Sequence, residues 1–177
     1  MLRVITSFGL LPFEAMMKVY EKTNREQGNL EWPWESADRQ LALAEEAMYD
    51  YLQDCFFKTP GAAYCLWLEQ DRPVSALRWE PYRDGVLLTA LETAPAETGK
   101  GYATKLLTQA LEVLRAKDIR KVYVHSHRGN TPSKIVHQRC GFLKASQGAR
   151  LLDGSYRPDF DTYTWEKRDA AGAIDIQ

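Results

Sequence analysis

Glu92-Thr-Ala-Pro-Ala-Glu-Thr-Gly-Lys-Gly-Tyr-Ala-Thr-Lys-Leu-Leu107 carries the strongest local structural signals in the sequence. It begins at the end of an apolar run over 85–93 that reads as a strand, and Pro95 breaks that strand. Gly99 and Gly101 then allow a tight turn into a helix, in which Tyr102, Ala103, Leu106, Leu107, Ala110, Leu111 and Leu114 recur at amphipathic spacing. A further strand follows over 121–125. A strand, helix and strand of this length make a crossover, so the strands around 87–93 and 122–125 are expected to lie parallel in one sheet.

Segments 62–69, 73–79 and 85–93 read as three strands joined by short turns, which predicts an antiparallel meander. Before them, residues 2–6 suggest a strand. Pro12 opens a helix carrying Phe13, Met16, Met17 and Tyr20, and Gly28-Asn29 is expected to close it. Ser36 or Asp38 caps a second helix that runs through Leu41, Ala44, Met48, Leu52 and Cys55. After the crossover, 131–139 is a short helix with Pro132 in its first turn, Gly141-Phe142 leads into a strand, and 162–165 alternates as a last strand. The fold class is α/β (α+β): a mixed, mostly antiparallel central sheet with helices on both faces. One domain over 1–169 is expected, with 170–177 a weakly anchored tail.

The chain has 177 residues, 23 Lys+Arg against 24 Asp+Glu, and 45% apolar residues. That suffices for a sizeable core, and a formal charge of −1 gives no global field for nucleic acid or an anionic membrane. Neither partner is expected. Cys55, Cys65 and Cys140 lack metal or redox spacing and read as core thiols, so no metal is expected. No stretch approaches the ~18 apolar residues of a membrane span, and no cleavable leader is evident, so a cytoplasmic location is expected.

The glycine turn suits an anion, because the first amides of a helix have no internal partners and carry the positive end of its dipole. Lys100 and Lys105 would add charge. A P-loop is excluded, since Lys100 is followed by Gly101 and Ala94 stands where the upstream glycine is required. A dinucleotide fingerprint needs glycine where Thr104 stands. A plain helix connection remains the bland alternative.

Downstream, Asn130-Thr-Pro-Ser-Lys-Ile-Val-His-Gln-Arg-Cys-Gly-Phe142 joins a polar helix start to an Arg-x-Gly-Phe ending. Together with Thr98-Gly-Lys-Gly-Tyr-Ala103, this resembles the GNAT superfamily of N-acetyltransferases, whose loop runs Gln/Arg-x-x-Gly-x-Gly/Ala. The motifs span 87–142, and the element order agrees. Thr98 stands where the family has Gln or Arg, and His137 where it commonly has Tyr.

The resemblance implies acetyl-CoA as acyl donor and direct transfer to a primary amine, and the near-neutral charge with the aromatic loop over 31–35 favours a small molecule over a protein N-terminus or lysine. Its pantetheine arm would lie in a gap between the parallel strands, along Leu91 and Thr93. The pyrophosphate would take the amides of Thr98, Gly99, Lys100, Gly101, Tyr102 and Ala103, and Asn130 and Ser133 would meet the arm. Glu92 is the expected base and His137 the expected acid for the leaving thiolate. With an ordinary imidazole pKa, about a quarter of His137 would be charged at pH 7. Trp32, Trp34 and Glu35, between the first two helices, and His125, after the parallel strand, are expected to bind the acceptor. Packing roles are the alternative for each. The same fold also suits a non-catalytic acyl-CoA-binding sensor or interaction module, and a homodimer is plausible.

Overall fold

The computed structural model describes residues 1–167, so the expected tail lies outside the described residues. Strand β1 (Leu2–Ile5) leads through a short 3-10 turn to helices α1 (Phe13–Glu31) and α2 (Ala37–Asp54). The meander β2 (Ala63–Glu69), β3 (Arg72–Tyr82) and β4 (Gly85–Thr93) follows, then α3 (Tyr102–Ala116), β5 (Lys121–His127), α4 (Thr131–Arg139), β6 (Leu143–Arg150) and β7 (Tyr156–Glu166). Among the described residues seven strands form one sheet in the order β1-β2-β3-β4-β5-β7-β6, with β4 and β5 pairing in parallel.

The sheet separates two cores. On one face α3 buries Leu106, Leu107, Ala110, Leu111 and Leu114 against Leu77, Trp79, Val122 and Val124. On the other, α1 and α2 bring Met16, Met17, Tyr20 and Leu52 onto Tyr64, Leu66 and Ala76. Each fully buried Leu contributes about 1.5–3 kcal/mol of apolar transfer, so these stripes fix which face each helix covers.

Two local expectations are corrected. Helix α1 runs past Gly28 to Glu31. Gly28 is buried and a Cβ there would strike the backbone carbonyl of Gln40, so this glycine serves the close approach of α1 and α2 and does not end the helix. Of the three cysteines, Cys65 alone is buried, while Cys55 is exposed and Cys140 half-buried. Ser36 is the cap of α2, its Oγ accepting from the Arg39 amide at 3.4 Å. No helix among the described residues is long and apolar enough to cross a membrane.

The parallel pairing is short. It runs from Val86↔Val122 to Leu88↔Val124 and stops, although β4 continues to Thr93 and β5 to His127. The cause lies on the other side of β4, where Ala76 faces Glu92 and Arg78 faces Thr89, leaving one extra residue in β4. This bulge carries Ala90 at φ 53°, in the left-handed region that costs a non-glycine residue on the order of 1 kcal/mol. Bulges bend the strand that contains them, so β4 veers away from β5 and a gap opens.

Candidate active site

Two cavities meet at the bulge. The first fills the gap between β4 and β5, has a volume of about 180 Å³, and is lined by residues 88–92 of β4 with Val124, His125, Asn130, Ser133 and His137. The second, of about 480 Å³, lies on the opposite face between α1, α2 and the sheet, and Trp32, Tyr51 and Arg78 are among its walls. Ala90 and Glu92 line both. Among the described residues the facing edges of β4 and β5 have no strand partner beyond Leu88, so an extended chain can add to them as a strand would.

The bulge is held from behind. Tyr20 donates its hydroxyl to the Ala90 carbonyl at 2.8 Å, and Tyr64 donates to the Tyr20 oxygen at 2.7 Å. Both phenols are buried, and burial pushes both pKa values up, Tyr64 to about 12. They stay protonated donors at neutral pH.

Glu92 turns its carboxylate to α1, where Thr23 Oγ1 donates to Oε1 at 2.8 Å. Oε2 has no protein partner among the described residues. Burial raises its pKa above the usual carboxylate value, against the opposing effect of the Thr23 hydrogen bond, with nearby Glu26 adding to the rise. A half-buried carboxylate with one free oxygen is a competent proton acceptor.

His137 is on α4, 5% exposed, with its ring edge-on to Phe142 at 5.4 Å and Nδ1 3.2 Å from Ser133 Oγ. Burial lowers its pKa to about 4. The expected fraction of imidazolium is therefore corrected: the ring is neutral at pH 7, because nothing anionic faces it to offset desolvation. Nε2 has no protein hydrogen bond among the described residues. Asn130 caps α4 with Oδ1 accepting from the Ser133 amide at 3.2 Å, which fixes the wall that carries Ser133 and His137.

The turn before α3 has the expected form. Gly99 and Gly101 both have φ 80°, and a Cβ at either would meet no atom of the described residues within 4 Å. The first helical bond is from the Lys105 amide to the Gly101 carbonyl at 3.0 Å, so the amides ahead of it are those a helix leaves unpaired. Thr98 spends its hydroxyl on the Pro95 carbonyl at 2.9 Å. Lys100 is held at 2.7 Å by Glu97, which reduces its charge toward an anion. Lys105 and Arg139 instead share a shallow cavity with Gly101, a pair of bases that the loop motif alone did not bring together.

Other expectations fare unevenly. Leu91 lines the gap, but Thr93 does not, its hydroxyl lying 3.0 Å from Ser75 Oγ. The Glu92 carbonyl accepts from Ser75 Oγ at 2.6 Å and is already engaged. Trp32 lines the second cavity, whereas Trp34 is 75% exposed and Glu35 is also exposed, so neither reaches it. His125 faces the gap, with Nδ1 3.1 Å from Thr162 Oγ1 and Nε2 3.1 Å from the Arg150 carbonyl, so both ring nitrogens hold strands together. Sequence reasoning missed Thr23, Gln27, Met48, Tyr51 and Arg78 in the second cavity. The recurrence of Tyr20, Thr23, Gln27 and Glu31 along one helical face was the available signal.

Residues 17–142 match the Acetyltransferase (GNAT) family. The chain belongs to that family. It is thus an acetyltransferase by family, with acetyl-CoA the acyl donor the membership implies. No relative was found among curated protein sequences. Among solved structures, this acetyltransferase resembles the PaiA N-acetyltransferase of Thermoplasma acidophilum, solved with coenzyme A, at TM-score 0.64 and 12% identity, covering 94% of this chain and 99% of that one. The ribosomal-protein-S18-alanine N-acetyltransferase of Escherichia coli gives 0.60 and 14%, covering 98% and 99%. The IAA acetyltransferase of Bacillus cereus gives 0.60 and 14%, covering 94% and 99%. At these identities the likeness is one of fold.

Proposed function

We propose that this GNAT member is an N-acetyltransferase that moves the acetyl group of acetyl-CoA directly to the primary amine of a small molecule. The observation that carries the reading is the sharing of Ala90 and Glu92 by two cavities on opposite faces of the sheet, which lets a thioester and an amine meet at the bulge. Acetyl-CoA supplies the activated acyl group. The gap fits its pantetheine arm as an added strand, and the open turn at Gly99 and Gly101 fits its pyrophosphate.

An alkylamine of pKa ~10.4 is neutral in roughly one molecule in a few thousand at pH 7, a cost of about 4–5 kcal/mol. Glu92, through Oε2 or a water on it, accepts the proton and recovers part of that cost. The neutral amine nitrogen then bonds to the acyl carbon as the carbon–sulfur bond breaks, the electron pair leaves with sulfur, and the second amine proton passes to that sulfur, giving the N-acetyl amide and the CoA thiol. His137 serves here as a neutral hydrogen-bond donor from Nε2, with Ser133 orienting the ring, and not as an imidazolium acid. A second cavity of about 480 Å³ is of the size that encloses small molecules, which favours such an amine over a protein chain.

The neutral His137 also favours one rival, an acyl-CoA-binding module without turnover. Titration calorimetry with acetyl-CoA, with CoA and NAD as controls, followed by thiol release with an amine panel, separates them. Binding with amine-dependent release supports the transferase, and binding without release supports the module.

A further inference from the structure

Arg78 enters the second cavity from β3. Its neighbours Leu77 and Trp79 are buried in the α3 core, which puts Arg78 on the opposite face of the strand, beside Ala76. There the guanidinium carbon lies 4.9 Å from the Tyr51 ring centroid and 5.5 Å from that of Phe56. Nε donates to Thr89 Oγ1 at 3.2 Å. Among the described residues neither terminal nitrogen has a protein acceptor, and Arg78 joins no ion pair. Glu80, two residues along the same face, feels its charge but turns to Tyr51.

A half-buried guanidinium held by aromatic rings, with its fork left open in a cavity, is suited to a planar anion. The register adds a distance. Arg78 faces Thr89 across the β3–β4 pair, and Glu92 faces Ala76, so the two charged residues stand two steps apart on one face, about 7 Å along the strand. An acceptor whose amine lies at Glu92 and whose carboxylate lies at Arg78 spans that interval. A second ammonium at the Arg78 end would meet its charge, whereas a carboxylate neutralises it.

We infer that the acceptor is an amino acid, a small amine bearing a carboxylate that pairs with Arg78 while its amine is presented to Glu92. This rests on the N-acetyltransferase reading and names its substrate class.

The test measures CoA release by the full chain with acetyl-CoA and a panel of L-amino acids, β-alanine and γ-aminobutyrate, each beside its carboxamide or decarboxylated amine. The expected result is a kcat/KM about 10- to 100-fold higher for the carboxylated members, the worth of one charge-assisted pair. In Arg78→Met, which keeps the stem on Tyr51 and Phe56, that advantage collapses through KM, and Arg78→Lys retains part of it. Acetylation of the carboxamides and decarboxylated amines at the same efficiency as the acids would overturn the inference while leaving the transferase intact. Should no amine release CoA, calorimetry of the same panel against CoA-saturated protein decides: Arg78-dependent binding of the acids supports the inference, and no binding overturns it. Unchanged melting and acetyl-CoA affinity establish that each variant is folded.

Discussion

The Tyr20 hydroxyl donates to the carbonyl oxygen of Ala90 at 2.8 Å, tying the middle of α1 to the one left-handed residue of β4. That bond connects helix packing to the site, because the bulge at Ala90 is what parts β4 from β5. Tyr20→Phe removes it and also strips Tyr64 of its acceptor. Loss of about 1–3 kcal/mol of stability is expected, together with a lower kcat at little change in overall fold. Denaturant unfolding and steady-state kinetics check this. A variant as stable and as active as the parent would show that the bulge holds its shape without α1.

Gly101→Ala tests the anion turn. The new Cβ meets no protein atom, so the cost to the fold is limited to left-handed strain, about 1–2 kcal/mol. The same Cβ intrudes on the turn proposed to hold the pyrophosphate, and acetyl-CoA affinity is expected to fall at least tenfold. Calorimetry reads the affinity and thermal unfolding the strain. Loss of stability with full affinity would move the pyrophosphate elsewhere.

The element order and the glycine turn were legible in the sequence because each depends on local rules, namely apolar period, helix caps and glycines that admit positive φ. The gap was legible through the family resemblance. The bulge was not, because Thr89-Ala-Leu91 carries no glycine to announce a left-handed residue, and its stabilising contact comes from Tyr20, 70 positions away. Arg78 was hidden for a related reason: a base in an alternating strand is ordinarily the solvent-facing residue, and only α2 laid across that face encloses it. Trp34 and Glu35 misled because composition places a loop near a pocket without saying which side chains turn inward.

Glu92→Gln is expected to lower turnover roughly 100-fold at pH 7, with acetyl-CoA affinity nearly unchanged. The carboxylate must be ionised to act, so the parent loses rate as pH falls through its raised pKa. The variant depends on amine that is already neutral, so its deficit narrows as pH rises toward ~10. Rate profiles against pH for the two proteins measure this. Parallel profiles would remove Glu92 as base.

His137 makes the fold acid-sensitive. Its pKa is about 4 when folded and close to the ordinary ~6.5 when unfolded, so the unfolded chain gains the proton first as pH falls. The stability that its neutral burial contributes is complete above about pH 6.5 and is lost toward pH 4. Between pH 7 and pH 5 the loss from this residue is about 2 kcal/mol. In His137→Phe the difference in unfolding free energy between those two pH values shrinks by that amount, measured by urea titration. An unchanged difference would mean that the folded imidazole titrates where the unfolded one does, near its ordinary pKa, reopening its role as an acid.

The most direct measurement is initial-rate release of CoA thiol from acetyl-CoA by the full chain, with and without primary amines, with the product analysed by mass spectrometry. An N-acetyltransferase gives release that depends on amine, saturates in both substrates and yields an N-acetyl amide. Saturable acetyl-CoA binding with no amine-dependent release across the panel would contradict that reading, and would make the cavity behind Glu92 a sensor's surface in place of an acceptor site.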